Sequence, residues 1–334
     1  MVVETGTLLE APPRVREAVR SAPAREASDE LPRLRPFEQA ALALARLTNE
    51  SPGGKRLQEA FVRTVSRTWV RRTVERRLLV DGVEWLEDLS PDRGVLLCAN
   101  HRSFFDQYIA MLALWDSGVT WARDLYFPVR ANFFYERPTG MLLNLLIGGG
   151  AMYPPIFRDR TRSAWNKDAL ERVVRFLGRP GTLVGMHPEG TRGKGDDPYE
   201  LLPAQPGVGE VILRARPLVV PLFIGGLTND FLGQARLNYR KDVRRTAPLI
   251  MCFGRPVEYE DLTRERPRMT LYKRAADRTR DAIAGLGRRE RELRAACAEG
   301  RIGEDDPAWL KNRRRRGRQG RRLPRSPAPV PGGL

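Results

Sequence analysis

The chain has 334 residues, a hydrophobic fraction of 41% and a formal net charge of +17 at pH 7. This length allows one large domain or two modest ones, and the apolar content is sufficient for a substantial core. Most of the charge lies in two segments: residues 55–79 hold eight basic and two acidic side chains, and residues 311–325 hold nine basic and no acidic ones. Such patches favour an anionic membrane, a nucleic acid or an acidic protein as a partner.

The composition argues against a secreted protein held together by disulfides. The three cysteines, Cys98, Cys252 and Cys297, lie far apart and show no metal-like spacing. An odd and sparse set of this kind fits a reducing compartment, and it predicts no metal site. The first ten residues are acidic and lack the basic and apolar regions of a secretory signal. We therefore expect a cytoplasmic protein.

The first 79 residues are predicted to contain a disordered segment followed by helices. Residues 1–36 are rich in Pro, Arg, Glu and Ala without sustained periodicity, which predicts disorder. Residues 37–79 form a helical segment with a turn at 51–54, and its second helix is amphipathic and basic. The apolar positions of that helix recur every four residues, at Leu57, Phe61, Val65 and Trp69.

From residue 78 onward, short apolar runs alternate with helical stretches. Strands are predicted at 78–83, 94–99, 125–130, 181–186, 218–225 and 249–254, and helices near 104–115, 133–147, 163–177 and 207–215. This alternation predicts an α/β fold with a mostly parallel central sheet flanked by helices. The N-terminal helical segment is expected to pack on or beside the sheet, and the α/β domain is expected to span residues 80–310.

The apolar segment Thr139–Phe157 is the closest match to a membrane span. A helix needs about 20 mostly apolar residues to cross a bilayer, and the glycines at 148–150 and the prolines at 154–155 would break this one. The segment is therefore predicted to be a buried helix, a glycine turn and a strand. One or two closing helices follow at 268–300, and residues 311–334 are predicted to be a basic, disordered tail.

The chain has only two histidines, and each lies in a compact polar motif. The first motif is residues 100–106, in which His101 precedes Asp106 by five positions. On a regular helix these side chains would lie about 140° apart, but they can meet if the chain turns after a strand and enters a helix near Ser103. A carboxylate on one imidazole nitrogen would fix the tautomer and strengthen the other nitrogen as a base. Alternatively, His101 caps an element and Asp106 is an acid in the first turn of a helix.

The second motif is residues 187–192, where Glu189, Gly190, Thr191 and Arg192 follow the second histidine. A glycine turn after a strand can direct backbone N–H groups at an anion, and arginine is well suited to bidentate phosphate binding. The alternative is an ordinary surface turn with a salt bridge. Both motifs directly follow predicted strands. If those strands are parallel, the motifs lie on one edge of the sheet, where ligands bind in folds of this type.

Four blocks in this order resemble the glycerolipid acyltransferase family, whose best-known members are the 1-acylglycerol-3-phosphate acyltransferases. The blocks are Asn100-His101-Arg102-Ser103 with Asp106, Ile156-Phe157-Arg158-Asp159-Arg160, Pro188-Glu189-Gly190-Thr191-Arg192 followed by Leu202-Pro203-Ala204 and Gly207, and Val219-Val220-Pro221-Leu222. An ordered set of blocks is far more specific than any single short motif.

The resemblance implies an acyltransferase of phospholipid biosynthesis. It would move a fatty acyl group from an acyl-CoA or acyl carrier protein thioester to the hydroxyl of glycerol 3-phosphate or a lysophospholipid. His101 would act as the general base, oriented by Asp106, without a covalent acyl-enzyme, a metal or a bound cofactor. The substrate-binding residues implied by the resemblance are Arg158, Arg160, Glu189, Gly190, Thr191 and Arg192.

Three positions depart from the family pattern. His187 stands where an aromatic residue usually precedes the Pro-Glu-Gly run, Pro155 replaces a glycine, and Arg158 replaces an aliphatic residue. His187 could bind the acceptor or replace a packing ring, and either Arg158 or Arg160 could hold a phosphate. Two other functions therefore stay open: an O-acyltransferase for a non-phosphate alcohol, and a non-catalytic lipid- or nucleic-acid-binding protein.

A lipid acceptor would require docking at a membrane. The basic amphipathic helix within 55–79 has the composition of an interfacial helix, although its apolar face could instead pack on the core. The tail from Lys311 to Arg325 could add attraction to an anionic surface, bind nucleic acid nonspecifically or recruit an acidic carrier protein. We expect a peripheral protein on the cytoplasmic face of the membrane, without a specific nucleic-acid partner.

Overall fold

The computed structural model describes residues 31–193 and 195–314, without the side chains of Arg160 and Phe231. Most of the two segments predicted to be disordered lies outside these residues. The parts that are described differ from the prediction: Leu34 is buried in the core, and helical structure continues through residues 311–314. Arg313 pairs with Glu84 there, so the first residues of the predicted tail belong to the folded domain.

A central sheet of six strands, counted over the described residues, organises the fold. In chain order, the strands of this sheet and of a separate two-stranded pair are β1 (Leu78–Asp81), β2 (Val95–Ala99), β3 (Asp124–Tyr126), β4 (Val129–Arg130), β5 (Pro155–Ile156), β6 (Thr182–Met186), β7 (Leu218–Gly225) and β8 (Leu249–Phe253). The sheet order is β1-β8-β7-β2-β6-β3, while β4 and β5 form a separate parallel pair. Within the main sheet only the β7–β8 pairing is antiparallel. The predicted fold class, a mostly parallel sheet flanked by helices, is confirmed.

The helices predicted near 104–115, 163–177 and 207–215 are present, whereas the one predicted near 133–147 is divided into two, and those at 84–87, 231–237 and 243–246 were not predicted. The helices surround the central sheet. They are α1 (Pro36–Glu50), α2 (Pro52–Phe61), α3 (Arg67–Val74), α4 (Glu84–Glu87), α5 (Asp106–Asp116), α6 (Ala131–Phe134), α7 (Pro138–Gly148), α8 (Ser163–Leu177), α9 (Pro206–Ala215), α10 (Phe231–Leu237), α11 (Val243–Thr246) and α12 (Met269–Ala298). A π-helical turn at Val62–Ser66 joins α2 to α3, and 3₁₀ turns occur at Arg160–Arg162 and Glu260–Arg264.

The sequence of the central elements explains their burial. Strand β2 is apolar and buried along its whole length, as expected for a parallel strand covered on both faces. Helix α5 is buried at every position, because it is apolar on nearly all sides and lies inside the molecule. Helix α12 packs along α9, β7 and β8. The carboxyl ends of β2 and β6 are thereby held in a rigid frame.

The N-terminal helices pack beside the sheet and are fastened to its edge strand by Lys55. This buried side chain donates hydrogen bonds to the backbone oxygen of Leu125 on β3 (2.6 Å) and to Oε1 of Gln58 (2.7 Å). Its ammonium group also lies 3.6 Å from the centre of the Tyr126 ring. The predicted position of the helical segment, on or beside the sheet, therefore agrees with the structure.

The predicted apolar face of the basic helix is divided between core and surface. Phe61 and Trp69 pack against the core, whereas Leu57 is 74% exposed and Val65 is 47% exposed. The π-helical turn at Val62–Ser66 changes the phase between Phe61 and Val65, whereas the exposed Leu57 lies before this turn, on α2. A π turn contains more residues than an α turn, so positions four apart no longer share one face.

The prediction for the apolar segment at 139–157 is wrong in one respect, the burial of helix α7. The helix, the glycine turn at Gly149 and the strand β5 are present as predicted. The helix is not buried, however, because Leu142, Leu143 and Leu146 are each 50–60% exposed. Among the described residues, no helix is both long and apolar enough to span a bilayer.

Candidate active site

The two histidine motifs meet because their strands are neighbours. Strands β2 and β6 are parallel and adjacent, with Val95 opposite Leu183 and Cys98 opposite Met186. The chain therefore leaves both strands at the same edge of the sheet, as the sequence predicts. The rings of His101 and His187 stack there, with centroids 3.9 Å apart and an interplanar angle of 12°.

His101 and Asp106 form the pair that the sequence predicts, and a tight turn makes this possible. Asp106 is the first residue of α5, and its Oδ2 lies 2.9 Å from Nδ1 of His101. The same oxygen accepts hydrogen bonds from the backbone N–H groups of Arg102 and Ser103, each at 2.9 Å. The turn folds His101 back over the start of the helix, which a regular helix could not do with five-residue spacing.

The electrostatics of this pair favour a neutral imidazole beside a carboxylate. Burial lowers the pKa of His101, and the nearby Arg192 and Arg130 guanidinium groups lower it further. Burial raises the pKa of Asp106 to about 6, against the two backbone N–H groups that favour its charged form. At pH 7 the carboxylate therefore holds the Nδ1–H of His101, and Nε2 is the nitrogen left for a proton from substrate.

Glu189 joins the two strand-end turns. Its Oε1 accepts from the backbone N–H of His101 and its Oε2 from that of Leu202, both at 2.9 Å. The backbone N–H of Gly193 in turn donates to the His101 oxygen at 2.9 Å. The carboxylate therefore ties the backbone of His101 to that of Leu202, and a direct role for Glu189 in substrate binding stays a prediction.

Gly190 is the residue that allows the second turn to close against its neighbours. Its φ is +63°, and a Cβ atom there would lie 2.9 Å from Cγ of Gln205. The left-handed conformation and the lack of space both require glycine. The Gly190 oxygen accepts a hydrogen bond from the Arg130 guanidinium at 2.8 Å. The glycine thus supports an arginine that the motif analysis did not include.

One cavity of about 1150 Å³ opens beside the histidines. His101, Thr191 and three arginines, Arg130, Arg158 and Arg192, are among its lining residues. None of these arginines forms an ion pair with a carboxylate in the described part of the chain. Burial lowers the pKa of Arg130, and the nearby Arg158 and Arg192 lower it further. A cluster of unneutralised guanidinium groups is suited to an anion such as phosphate.

The structure brings Arg158 and Arg192 to the cavity and adds Arg130. Arg192 lies over the ring of Phe104, 3.9 Å from its centre, and this contact directs it along the cavity wall. Arg130 was missed because it belongs to none of the four blocks. It ends the strand predicted at 125–130, but that strand is divided into β3 of the main sheet and β4 of the separate pair, so sheet-edge reasoning alone would not have placed it. Arg160 belongs to a 3₁₀ turn, and its side chain is outside the described atoms, so its role stays a prediction.

The polar groups at the sheet edge do not converge on a metal ion. His101, Asp106 and His187 each offer a ligand atom, and these atoms lie within 4.8 Å of one another. The His101 and His187 rings are nearly parallel, however, so their in-plane lone pairs run side by side. Nδ1 of His101 is also bound to Asp106, and both nitrogens of His187 have protein partners. The arrangement is suited to proton transfer.

Comparison with known proteins agrees with this chemistry. Residues 82–225, which contain all four sequence blocks and both histidines, match the family model described as Acyltransferase. This stretch is less than half of the chain, and over it the resemblance predicted from the ordered blocks is confirmed. A similar solved structure is the 1-acyl-sn-glycerophosphate (LPA) acyltransferase PlsC from Thermotoga maritima, with 16% identity, coverage of 71% of this chain and 80% of that one, and a TM-score of 0.41. No curated protein matches the chain.

Proposed function

We propose that the protein transfers a fatty acyl group from an acyl-CoA or acyl carrier protein thioester to a hydroxyl of glycerol 3-phosphate or a lysophospholipid, such as 1-acylglycerol 3-phosphate. The observation that carries this proposal is the cavity shared by a neutral imidazole and three arginines that have no carboxylate partner among the described residues. The imidazole supplies the base, and the guanidinium groups supply a site for a phosphate close to it. A role in phospholipid biosynthesis follows from this pair of substrates.

Phosphate binding would position the acceptor hydroxyl. Arg130, Arg158 and Arg192 surround the cavity wall near His101, so a phosphate held by them carries its glycerol hydroxyl toward the free Nε2. Holding the two reactants in place removes much of the entropic barrier of a bimolecular step, an effect of several kcal/mol in well-oriented cases. The arginines thus contribute to the rate as well as to binding.

The reaction itself needs one base and no covalent enzyme intermediate. Nε2 of His101 removes the proton from the acceptor hydroxyl while the oxygen attacks the thioester carbonyl carbon. The tetrahedral intermediate then collapses, the carbon–sulfur bond breaks, and the imidazolium returns its proton to the thiolate. Asp106 stabilises the imidazolium through Nδ1–H at 2.9 Å. The products are the ester and the free thiol, and the histidine ends neutral.

An exposed apolar surface supports a peripheral membrane location on the cytoplasmic face, with an anionic bilayer as partner. The side chains of this surface belong to α1, α2, the π turn and α7: Leu44, Leu47, Leu57, Val65, Leu142, Leu143 and Leu146. These helices touch, since Ser66 donates to the Ile147 oxygen at 2.5 Å and Asn49 to the Gly150 oxygen at 2.9 Å. Phe133, itself 40% exposed, lies on the cavity wall beside α7.

The geometry of this surface fits a lipid acceptor. Its apolar side chains would enter the interfacial region of one leaflet, and the exposed Arg56 and Arg137 beside them would meet anionic head groups. Phe133 lies at the edge of the cavity next to α7, so an acyl chain could leave the cavity and remain among lipids. The phosphate would then be drawn toward the arginines.

Steady-state kinetics with two acceptors test the proposal. The assay measures thiol release from an acyl-CoA in the presence of 1-acylglycerol 3-phosphate or of monoacylglycerol, which lacks the phosphate. We expect Arg130→Ala to raise KM for the phosphate acceptor by about 10- to 100-fold, because a hydrogen bond to a charged group contributes about 1.5–3 kcal/mol. The exposed Arg175→Ala serves as the matched control, since Arg175 lies on α8 outside the cavity lining.

The outcomes separate the candidate functions. Equal turnover of both acceptors, unaffected by Arg130→Ala, would point to a non-phosphate alcohol. Mass spectrometry of the products identifies which hydroxyl receives the chain, and parallel reactions with acyl carrier protein identify the donor. His101→Ala should abolish transfer while the protein stays folded. Transfer at the wild-type rate by that variant would contradict the assignment of the base.

A further inference from the structure

The second histidine of the chain has both ring nitrogens bound by the protein. Nδ1 of His187 lies 3.0 Å from the Ala99 oxygen and 3.1 Å from the Asn100 oxygen. Backbone oxygens only accept hydrogen bonds, so Nδ1 must carry the hydrogen. Nε2 lies 3.1 Å from the side-chain nitrogen of Gln107, which donates to it. The contacts therefore fix a neutral imidazole in its Nδ1–H form.

These contacts decide between the two roles that the sequence leaves open for His187. A histidine that binds the acceptor would need a free nitrogen toward the cavity, but both nitrogens are occupied by Ala99, Asn100 and Gln107. What remains available is the face of the ring, and that face lies on His101 at a centroid distance of 3.9 Å. His187 therefore occupies the place of a packing ring.

Gln107 gives this ring a property that a phenyl ring lacks. The amide is buried between Asp106 and the cavity, and its oxygen Oε1 has no hydrogen-bond partner among the described residues. Gly185 leaves room for that oxygen, since a Cβ there would collide with it. If the amide rotated by half a turn, Oε1 would accept a hydrogen bond from a protonated Nε2 of His187. One side chain can thus bind either protonation state of the ring.

We propose that His187, held by Gln107, is a positioning residue for the base. Its neutral ring keeps His101 aligned and lies against the imidazolium formed during proton transfer. Protonation of His187 removes this stabilisation. The inference rests on the proposed function of His101 as general base. A neutral π face attracts a cation stacked upon it, whereas a second imidazolium 3.9 Å away would repel it.

The surroundings keep His187 neutral under ordinary conditions. Burial lowers its pKa well below 6.5, and the adjoining His101 lowers it further. Asp106 opposes this, but its Oδ2 is already bound to His101 and two backbone N–H groups. The cations Arg130 and Arg192 lie beside His101. The carboxylate of Glu189, which also faces this site, is bound to backbone N–H groups. No carboxylate touches His187 itself among the described residues.

Nuclear magnetic resonance can test the resting state without any substrate. The untagged chain has only two histidines, so ¹⁵N and ¹³C labelling of histidine gives two ring systems, and His187→Phe assigns them. We expect His187 to be the neutral Nδ1–H tautomer at pH 7. Gln107→Glu places a carboxylate at Nε2 and should raise the titration midpoint of His187 by at least about one pH unit. A wild-type His187 that is charged at pH 7, or in the other tautomer, would overturn the proposal.

Kinetics test the consequence for the base, using acyl-CoA and 1-acylglycerol 3-phosphate. We expect His187→Ala to lower kcat by about 100-fold, the cost of a displaced catalytic group, with KM changed by less than about threefold. His187→Phe should recover most of the loss, because a ring again covers His101. In Gln107→Glu, the acidic limb of the pH profile of kcat should move to higher pH. That movement should vanish when His187→Phe is also present, because the group that titrates is then gone.

Several results would contradict this account. They are a wild-type kcat in His187→Ala, no recovery in His187→Phe, or an equal shift of the pH profile by Gln107→Glu in both backgrounds. Thermal unfolding checks that His187→Ala is folded, and the other two variants carry the test if it is not. If the wild type transfers nothing from acyl-CoA, the proposed function fails, whereas the NMR titration still decides on the two histidines.

Discussion

Asp106→Asn isolates the effect of one negative charge on the proposed base. The Oδ2 atom of Asp106 receives three N–H groups at 2.9 Å, and its Oδ1 has no hydrogen-bond partner among the described residues. In the variant, the amide oxygen can take the place of Oδ2 and the NH₂ group that of Oδ1. The three hydrogen bonds, the turn and the His101 tautomer are then kept, and only the charge is lost.

The size of the effect follows from the distance between the charges. An imidazolium and a carboxylate about 4 Å apart attract each other by about 4 kcal/mol at an effective dielectric constant near 20. This attraction exists only once His101 is protonated, so it lowers the barrier of the proton-transfer step. We expect Asp106→Asn to reduce kcat by about 10³-fold, with little change in KM, since no substrate contact is removed.

The assay is thiol release from acyl-CoA with saturating 1-acylglycerol 3-phosphate, accompanied by thermal unfolding of both proteins. The unfolding midpoint should fall only modestly, because the new buried NH₂ group replaces an oxygen that was equally without a partner. A loss of kcat below tenfold in a folded variant would refute the reasoning that the charge of Asp106 stabilises the imidazolium.

Three further predictions concern Lys55, helix α7 and the tail. Burial lowers the pKa of Lys55 to about 7, so between pH 7 and 10.5 the unfolded chain binds more protons than the folded one, and stability rises with pH. Lys55→Met should therefore show a flatter pH dependence of the free energy of unfolding. In urea titrations between pH 7.5 and 9, this free energy should rise by about 2 kcal/mol more in the wild type than in the variant, and parallel curves would contradict this. Leu143→Glu with Leu146→Glu should weaken sedimentation with anionic liposomes by at least about tenfold, whereas Met269→Glu, an equally exposed apolar position on α12, should leave it unchanged. Truncation after Arg314 should weaken liposome binding and reduce its salt dependence, and binding that is unaffected would exclude the tail from docking.

The fold was largely predictable because the central elements repeat a simple pattern. Each main strand is a short apolar run bounded by polar or glycine residues, and helix α8 has the bounds predicted for it. The incorrect predictions occur where one residue or one turn changes which face of a helix is buried. The π turn at Val62–Ser66 divides the apolar face of the basic helix, and hydropathy alone could not tell that α7 would face outward. Both errors concern what covers a helix, which depends on tertiary packing.

The sequence predicted which residues the sheet edge brings together, but it did not predict the contacts that individual side chains make there. His101 and Asp106 meet at the turn after β2, as expected. The substrate role of Glu189 stays a prediction, and no sequence pattern reveals that its two oxygens accept hydrogen bonds from backbone N–H groups. Arg130 was missed because it lies outside the motifs, and its proximity to Arg192 becomes visible only once β3, β4 and β6 are placed.

The same sheet edge explains how a strongly basic chain can keep the proposed base uncharged. Burial lowers the pKa of His101, and Arg192 and Arg130 lower it further, so the cations that would bind a phosphate also help to keep the imidazole free to accept a proton. A phosphate bound there would offset these cations with its negative charge and would raise the basicity of His101 at the moment when a hydroxyl is in place. Phosphate binding and activation of the base would then be coupled through the same arginines, and an acceptor without a phosphate would forgo both effects.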